Sequence, residues 1–262
     1  MQQYIGEPLT GRKRTAILYP LSQKELLEEY NRYELKENIE KFLIFGAYPE
    51  ALTAKTQKEK IIILEEIVNS YLLKDVLALD RIKNSNQLLK LLKLLAFQVG
   101  SEVSFNELAT QIKLNVKTVE RYLDILEKAF VIKYISGFSR NLRKEISSKG
   151  KIYFYDNGVR NAIIENFNLL ENRNDIGALW ENFIVMERLK KQEYQPIFSN
   201  NYFWRTYDQK EIDWVEEREG KLFGYEIKWG NKKYKEPKLW KETYSNAEFK
   251  IINRDNYLDF IL

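Results

Sequence analysis

The sequence predicts an α+β chain of more than one domain, and three observations carry that prediction. Helical spacing of apolar residues fills the first third of the chain. The order helix, helix, turn, helix, strand, loop, strand fills the middle. Short strands flanked by helices fill the remainder. At 262 residues the chain has the length of one or two domains. Apolar residues at 44% supply enough material for packed cores and exclude a disordered chain.

The first twenty residues are basic and irregular. Arg12, Lys13 and Arg14 precede a strand-like run, Ala16 to Tyr19, that Pro20 ends. Ser22 with Glu25 three residues on spells a capping box. Helical spacing follows through Leu26, Leu27 and Tyr30, then through Ile39, Phe42 and Leu43. Gly46 stops it and Pro49 marks the break. A long helix is expected from about Lys58 to Ala78, presenting Ile62, Ile63, Ile67, Tyr71 and Leu72. Residues 23–83 read as a helical region.

Residues 84–156 hold the second pattern. Leu88 to Phe97 reads as a helix. Ser104 caps a helix from Phe105 to Ile112, with Glu107 at its third position. After a turn at Leu114 and Asn115, a helix from Val116 to Lys128 carries Val119, Tyr122, Leu123 and Leu126. An apolar run, Ala129 to Ile135, a basic stretch and a strand from Lys151 to Tyr155 complete the order of a winged helix-turn-helix.

Residues 157–262 read as an α/β domain. A helix from Gly177 to Lys191 precedes strands Tyr202 to Arg205, Glu211 to Val215 and Leu222 to Trp229. A helix around Glu236 to Tyr244 and a strand from Glu248 to Ile252 follow. Strand alternation puts Ile212 and Trp214 on one face and Glu211 and Asp213 on the other. It sets Glu226 beside Lys228, opposite Tyr225, Ile227 and Trp229. Glu219-Gly220 is a turn that makes the two strands hairpin neighbours, bringing Asp213, Glu226 and Lys228 together.

Composition narrows the chemistry. The chain has no Cys and no His. Disulfides, thiolate nucleophiles, thiolate zinc sites, imidazole metal ligands and imidazole acid–base catalysis are excluded. Any metal must sit among oxygens, which favours Mg²⁺, Mn²⁺ or Ca²⁺ over zinc. Two carboxylates and a lysine on neighbouring strands suit metal-assisted phosphodiester hydrolysis. The metal generates hydroxide, and the lysine orients water or stabilises transition-state charge. A lone Glu-x-Lys is ordinarily a solvated ion pair. Asp213 on its own strand, and Glu181 on the preceding helix beside core residues Trp180, Phe183, Ile184 and Leu189, make the set more specific. The net charge is only +4. No run approaches the roughly 20 apolar residues of a membrane span, and no signal pattern opens the chain, so a cytoplasmic protein is expected.

In their order, Glu181, Asp213, Glu226 and Lys228 resemble the motif of the PD-(D/E)XK restriction-endonuclease-like fold. Phe203-Trp204-Arg205, Glu211-Ile212-Asp213 and Tyr225-Glu226-Ile227-Lys228 resemble the carboxy-terminal domain of unknown function of prokaryotic AAA-type ATPases. Gly46-Ala47-Tyr48-Pro49-Glu50 resembles that family's Gly-Gly-Phe-Pro-Glu-like segment. Gly11-Arg12 with Leu18-Tyr19-Pro20-Leu21-Ser22 resembles the end of its ATPase domain. The resemblance implies that residues 1–22 are the remnant of an ATPase domain and 157–262 an endonuclease-like domain. It implies Glu181, Asp213 and Glu226 as ligands of Mg²⁺ or Mn²⁺ and Lys228 as the catalytic lysine. The chain lacks Gly-x-x-x-x-Gly-Lys-Ser/Thr, so neither ATP binding nor ATPase activity is expected of it alone. The missing ATPase is an expected partner.

DNA is the other expected partner. Asn115, Lys117, Thr118, Glu120 and Arg121 lie on or near the exposed side of the helix that would enter a major groove. Lys133, Arg140, Arg143, Lys144, Lys149 and Lys151 against Glu145 make a basic wing suited to phosphates. Lys232, Lys233, Lys235, Lys238 and Lys241, with Tyr234 and Trp240 among them, form a second basic patch. It would hold substrate phosphates, or it is a solvated helix and turn whose aromatic rings pack on the sheet. The leading expectation is a DNA-binding, metal-dependent endonuclease-like protein. The alternative is a non-catalytic module that binds DNA or a partner and regulates or docks an ATPase.

Overall fold

The computed structural model describes residues 17–72, 85–139, 149–206, 210–231 and 234–262. The chain is α+β. Helices α1 (Gln23–Leu26), α2 (Arg32–Glu37), α3 (Ile39–Phe45), α4 (Pro49–Thr53) and α5 (Gln57–Glu66) come first, and Ile67–Leu72 continues α5 as π-helix. Capping boxes at Ser22, Asn31 and Thr56 start three of them, each satisfying backbone N–H groups that a helix end leaves unpaired.

One local expectation is corrected here. Ile17 to Tyr19 form no strand, and no strand pairs with them among the described residues; the N–H of Leu21 bonds instead to Ala47 O at 2.9 Å. Pro49 opens α4, at a position where its missing N–H costs nothing. The break falls where expected, at Gly46, whose φ is 69°. A Cβ on Gly46 would lie 2.0 Å from Asp156 Oδ1, so both backbone angle and space demand glycine. The helix expected to reach Ala78 widens to π geometry at Ile67, and residues 73–78 lie outside the described residues.

Next come α6 (Ser85–Phe97), β1 (Glu102–Val103), α7 (Phe105–Ile112), α8 (Val116–Lys128), β2 (Ile132–Ser136) and β3 (Gly150–Phe154). The strands form an antiparallel sheet in the order β1-β3-β2. Strand β1 is too short to read as a periodic signal. On β3 the side chains alternate. Ile152 and Phe154 turn to one side, and Lys151 and Tyr153 turn to the other, where both reach Glu181.

The last part holds α9 (Asn157–Ile163), α10 (Ile176–Tyr194), β4 (Asn200–Arg205), β5 (Glu211–Arg218), β6 (Lys221–Ile227), α11 (Lys238–Thr243), β7 (Glu248–Ile252) and α12 (Tyr257–Ile261). The sheet order is β4-β5-β6-β7. The first three strands are antiparallel, and β7 lies parallel to β6 after the crossover containing α11. Glu219 and Gly220 both have positive φ, 50° and 75°, the twist that a two-residue hairpin turn favours.

A bulge on β5 corrects the expected alternation. Tyr202 pairs with Val215 but Trp204 with Ile212, so β5 carries one residue more than β4. Ile212 and Val215 therefore pack with Trp204, Leu222 and Trp240 beneath α11. Trp214 joins Tyr225 and Ile227 in the main core on the other face. That main core runs without interruption from Leu26 to Ile261. The two sheets meet where Phe138 N–H donates to Phe203 O at 2.6 Å and Arg205 pairs with Glu102 at 2.9 Å. Among the described residues no helix is long and apolar enough to cross a membrane.

Candidate functional site

The site lies where the two sheets and α10 converge. The β5–β6 ladder stops at Trp214 opposite Tyr225. One residue further, Asp213 fills the opening with its carboxylate, whose Oδ2 accepts from the Ile227 N–H at 2.8 Å. The same oxygen lies 3.2 Å from Lys228 Nζ, and Lys228 Nζ lies 2.6 Å from Glu226 Oε1. Asp213, Glu226 and Lys228 thus meet. The two carboxylates are buried, while the Lys228 side chain is 38% exposed at the mouth.

Glu181 enters from α10. Its Oε1 accepts from Tyr153 Oη at 2.7 Å and from Lys151 Nζ at 2.9 Å. Gly100, at φ 73°, passes behind it; a Cβ there would lie 3.3 Å from the Glu181 carboxylate. Lys151 is the centre of the cluster. Its side chain is 2% exposed, and its ammonium pairs with Glu181, with Glu211 and, at 3.6 Å, with Asp213. Arg205 reaches Glu211 from its outer side at 3.7 Å.

The electrostatics follow from this crowding. Burial, reinforced by the Asp213 charge, pushes Glu181 up to about 7, although Lys151 opposes the shift. Burial, with the charges of Asp213 and Glu181, pushes Glu226 up to about 7 against the pull of Lys228. Burial favours the neutral form of Lys151, but Glu181, Asp213 and Glu211 outweigh it and hold the ammonium protonated. Lys228 is held protonated in the same way by Asp213 and Glu226.

The donor set fits a hard divalent cation, because every acidic group is an oxygen ligand. Glu226 Oε2 adds a specific observation: it is buried and has no hydrogen-bond partner. Such an atom costs free energy unless something pairs with it. Among the described residues, no group of three or more acidic side chains stands arranged as a ready ligand cage. Lys151 stands among those that would form one.

Sequence reasoning missed Lys151, Tyr153 and the site role of Glu211. Lys151, which charge alone assigns to a basic wing, lies inside the site. Its signal was present as a lysine two residues from a tyrosine within the apolar strand Gly150-Lys151-Ile152-Tyr153-Phe154. What alternation could not supply was the neighbour on that face.

The expected DNA-contacting residues divide. Asn115 caps α8, with Oδ1 accepting from Thr118 N–H at 2.8 Å and Thr118 Oγ1 at 2.9 Å, so both residues serve the helix start. Lys117, Glu120 and Arg121 are exposed on α8. Arg140, Arg143 and Lys144 lie outside the described residues, as do Lys232 and Lys233. In the second basic patch Trp240 is fully buried against Trp204, so it packs on the sheet. Lys235, Lys238 and Lys241 are exposed.

Residues 36–170 match the domain of unknown function DUF8612, and residues 176–256 match the domain of unknown function DUF4143. The chain belongs to the DUF8612 family. DUF4143 is associated with AAA-ATPase-linked domains. The boundary between the DUF8612 and DUF4143 matches falls just before α10, the helix that brings Glu181. An uncharacterized protein of Mycobacterium tuberculosis is 27% identical over 70% of this chain and 41% of its own length. One of Methanocaldococcus jannaschii is 24% identical over 97% of this chain and 59% of its own. One of Haemophilus influenzae is 26% identical over 79% of this chain and 51% of its own. The chain thus spans about half the length of these relatives. No solved structure matches.

Proposed function

We propose that this chain is a DNA-binding protein whose C-terminal part is a PD-(D/E)XK-type, metal-dependent phosphodiesterase, working within or beside an AAA-type ATPase. The observation that carries the proposal is the meeting of Asp213, Glu226 and Lys228 where the β5–β6 ladder opens, with Glu181 brought alongside from α10. Glu181, Asp213 and Glu226 would hold Mg²⁺ or Mn²⁺, which when bound polarises a phosphoryl oxygen and lowers the pKa of water. Lys228, protonated and partly open to solvent, orients the attacking water and stabilises the charge that develops on the phosphoryl group. Trp214, Tyr225 and Ile227 pack into the main core on the opposite face and back the strands that carry the buried carboxylates.

The succession α6, β1, α7, α8, β2 and β3 supports a winged helix for residues 85–154. Its α8 would lie in a major groove with Lys117 and Arg121 outward. The exposed Lys235, Lys238 and Lys241 would hold substrate phosphates beside Lys228.

The test is divalent-metal-dependent cleavage of single-stranded, duplex and branched DNA, with Lys228→Ala in parallel. Cleavage by wild type alone is the expected result. The ion pairs of Lys151 favour a second reading, in which the same fold only binds DNA or docks an ATPase. Salt-sensitive DNA binding without cleavage or metal binding would select it.

A further inference from the structure

Lys151 comes from the other sheet and has no part in the Glu-Asp-Glu-x-Lys set. Yet its ammonium touches two members of that set, Glu181 and Asp213, together with Glu211. It is buried, and its cation–π neighbour Phe203 lies 5.6 Å from Nζ. A buried lysine is normally costly, and this one is stable only because the carboxylates surround it. The four carboxylates Glu181, Glu211, Asp213 and Glu226 face the two ammoniums of Lys151 and Lys228, leaving a formal charge of −2. Glu226, whose Oε2 is buried without a hydrogen-bond partner, is not among the carboxylates that pair with Lys151.

We infer that Lys151 is a tethered internal cation that stands in for the divalent metal and must give up Glu181 and Asp213 for the metal to bind. The inference rests on the metal-dependent reading of this site. It assigns Lys151 a role opposite to that of Lys228: it holds the carboxylates together in the metal-free state and competes with metal. Glu211 is the group that keeps Lys151 when the other two let go, because it carries no expected ligand role and Arg205 braces it from outside.

The test measures Mn²⁺ binding calorimetrically, without DNA, to the full chain and to Lys151→Met. The variant is expected to bind Mn²⁺ at least tenfold more tightly than wild type. Its melting temperature should fall in EDTA and recover with Mn²⁺ by more than that of wild type. Lys151→Arg, which keeps the charge, should show no tightening. Equal or weaker Mn²⁺ binding by a folded Lys151→Met, with binding retained in wild type, overturns the inference and leaves the metal reading standing. Absence of Mn²⁺ binding by both proteins overturns the metal reading and this inference with it. Should Lys151→Met stay unfolded with and without Mn²⁺, Lys151→Gln, which keeps a donor for Glu181, is read by the same criteria.

Discussion

Two buried polar clusters lie on either side of the N-terminal half of α10, and they are built on opposite principles. One is the network of Asp156, Asn157, Asn161, Arg160, Arg173, Asp175 and Asn182. There nearly every group meets a partner of fitting kind. Asn182 accepts from Phe154 N–H at 2.7 Å and donates to Phe154 O and to Asn157. Asn161 donates to Leu43 O and Ile44 O, satisfying carbonyls at the end of α3. Arg160 and Arg173 share Asp175. The other cluster, around Lys151, crowds like charges, pushes two carboxyls up to about 7 and leaves one oxygen unpaired. The first ties α3, α6, α9, β3 and α10 into one body. The second holds electrostatic strain of the kind that ligands relieve.

The largest expected effect lies in the satisfied network. Asn182→Ala strands the Phe154 N–H and C=O and the Asn157 carbonyl in the core. It should cost about 3 to 5 kcal/mol of stability, read as a fall in the urea midpoint. A loss below about 1 kcal/mol would mean that the network contributes little and the comparison is wrong. Arg160→Met should cost about 3 kcal/mol, because it leaves the half-buried Asp175 with one arginine instead of two and frees Ala96 O.

The strained cluster should respond with the opposite sign. Glu226→Gln removes a buried charge that repels Asp213 and Glu181. At pH 8 without metal the variant should be more stable than wild type by about 1 kcal/mol, and with Mn²⁺ it should lack the cleavage proposed for wild type. A destabilised variant would place Glu226 among the satisfied groups.

The pH dependence follows from the same shifts. An unfolded carboxyl titrates near 4.5, whereas Glu181 and Glu226 do so at about 7 in the folded chain. The folded state therefore binds more protons between these values. Their contribution to stability is fully present below pH 4.5 and is lost as pH rises through 7. In metal-free buffer the urea midpoint should fall from pH 5 to pH 8, and Glu226→Gln should flatten that fall. A flat wild-type profile would remove the strain from the comparison.

The smallest effects concern α8. On the proposed DNA-binding reading, Lys117→Ala should lower the salt dependence of DNA binding by about one unit of slope with little change in stability. Asn115→Ala should instead cost about 1 kcal/mol of stability through the lost cap.

Much of the secondary structure was legible because local rules decide it. Ser22-Glu25 and Ser104 mark helix starts by hydrogen bonds that reach only three residues. Glu219-Gly220 marks the hairpin by its backbone angles, and the strand from Glu248 to Ile252 ends where expected. Helix α9 was not legible, since its residues are buried all round and present no contrast of faces. The bulge in β5 was equally hidden, because a run of Glu-Ile-Asp-Trp-Val reads as plain alternation until β4 supplies its register.

The sequence by itself determined which acidic and basic residues could do chemistry without Cys or His, and that Asp213, Glu226 and Lys228 would be neighbours. Hairpin pairing and strand alternation operate over a few residues, and so they are written locally. Only the tertiary structure decided that Lys151, from the other sheet, would lie between Glu181, Glu211 and Asp213. That contact joins residues 30 to 62 positions apart, and its energy comes from burying four charges in one place, which no local pattern records.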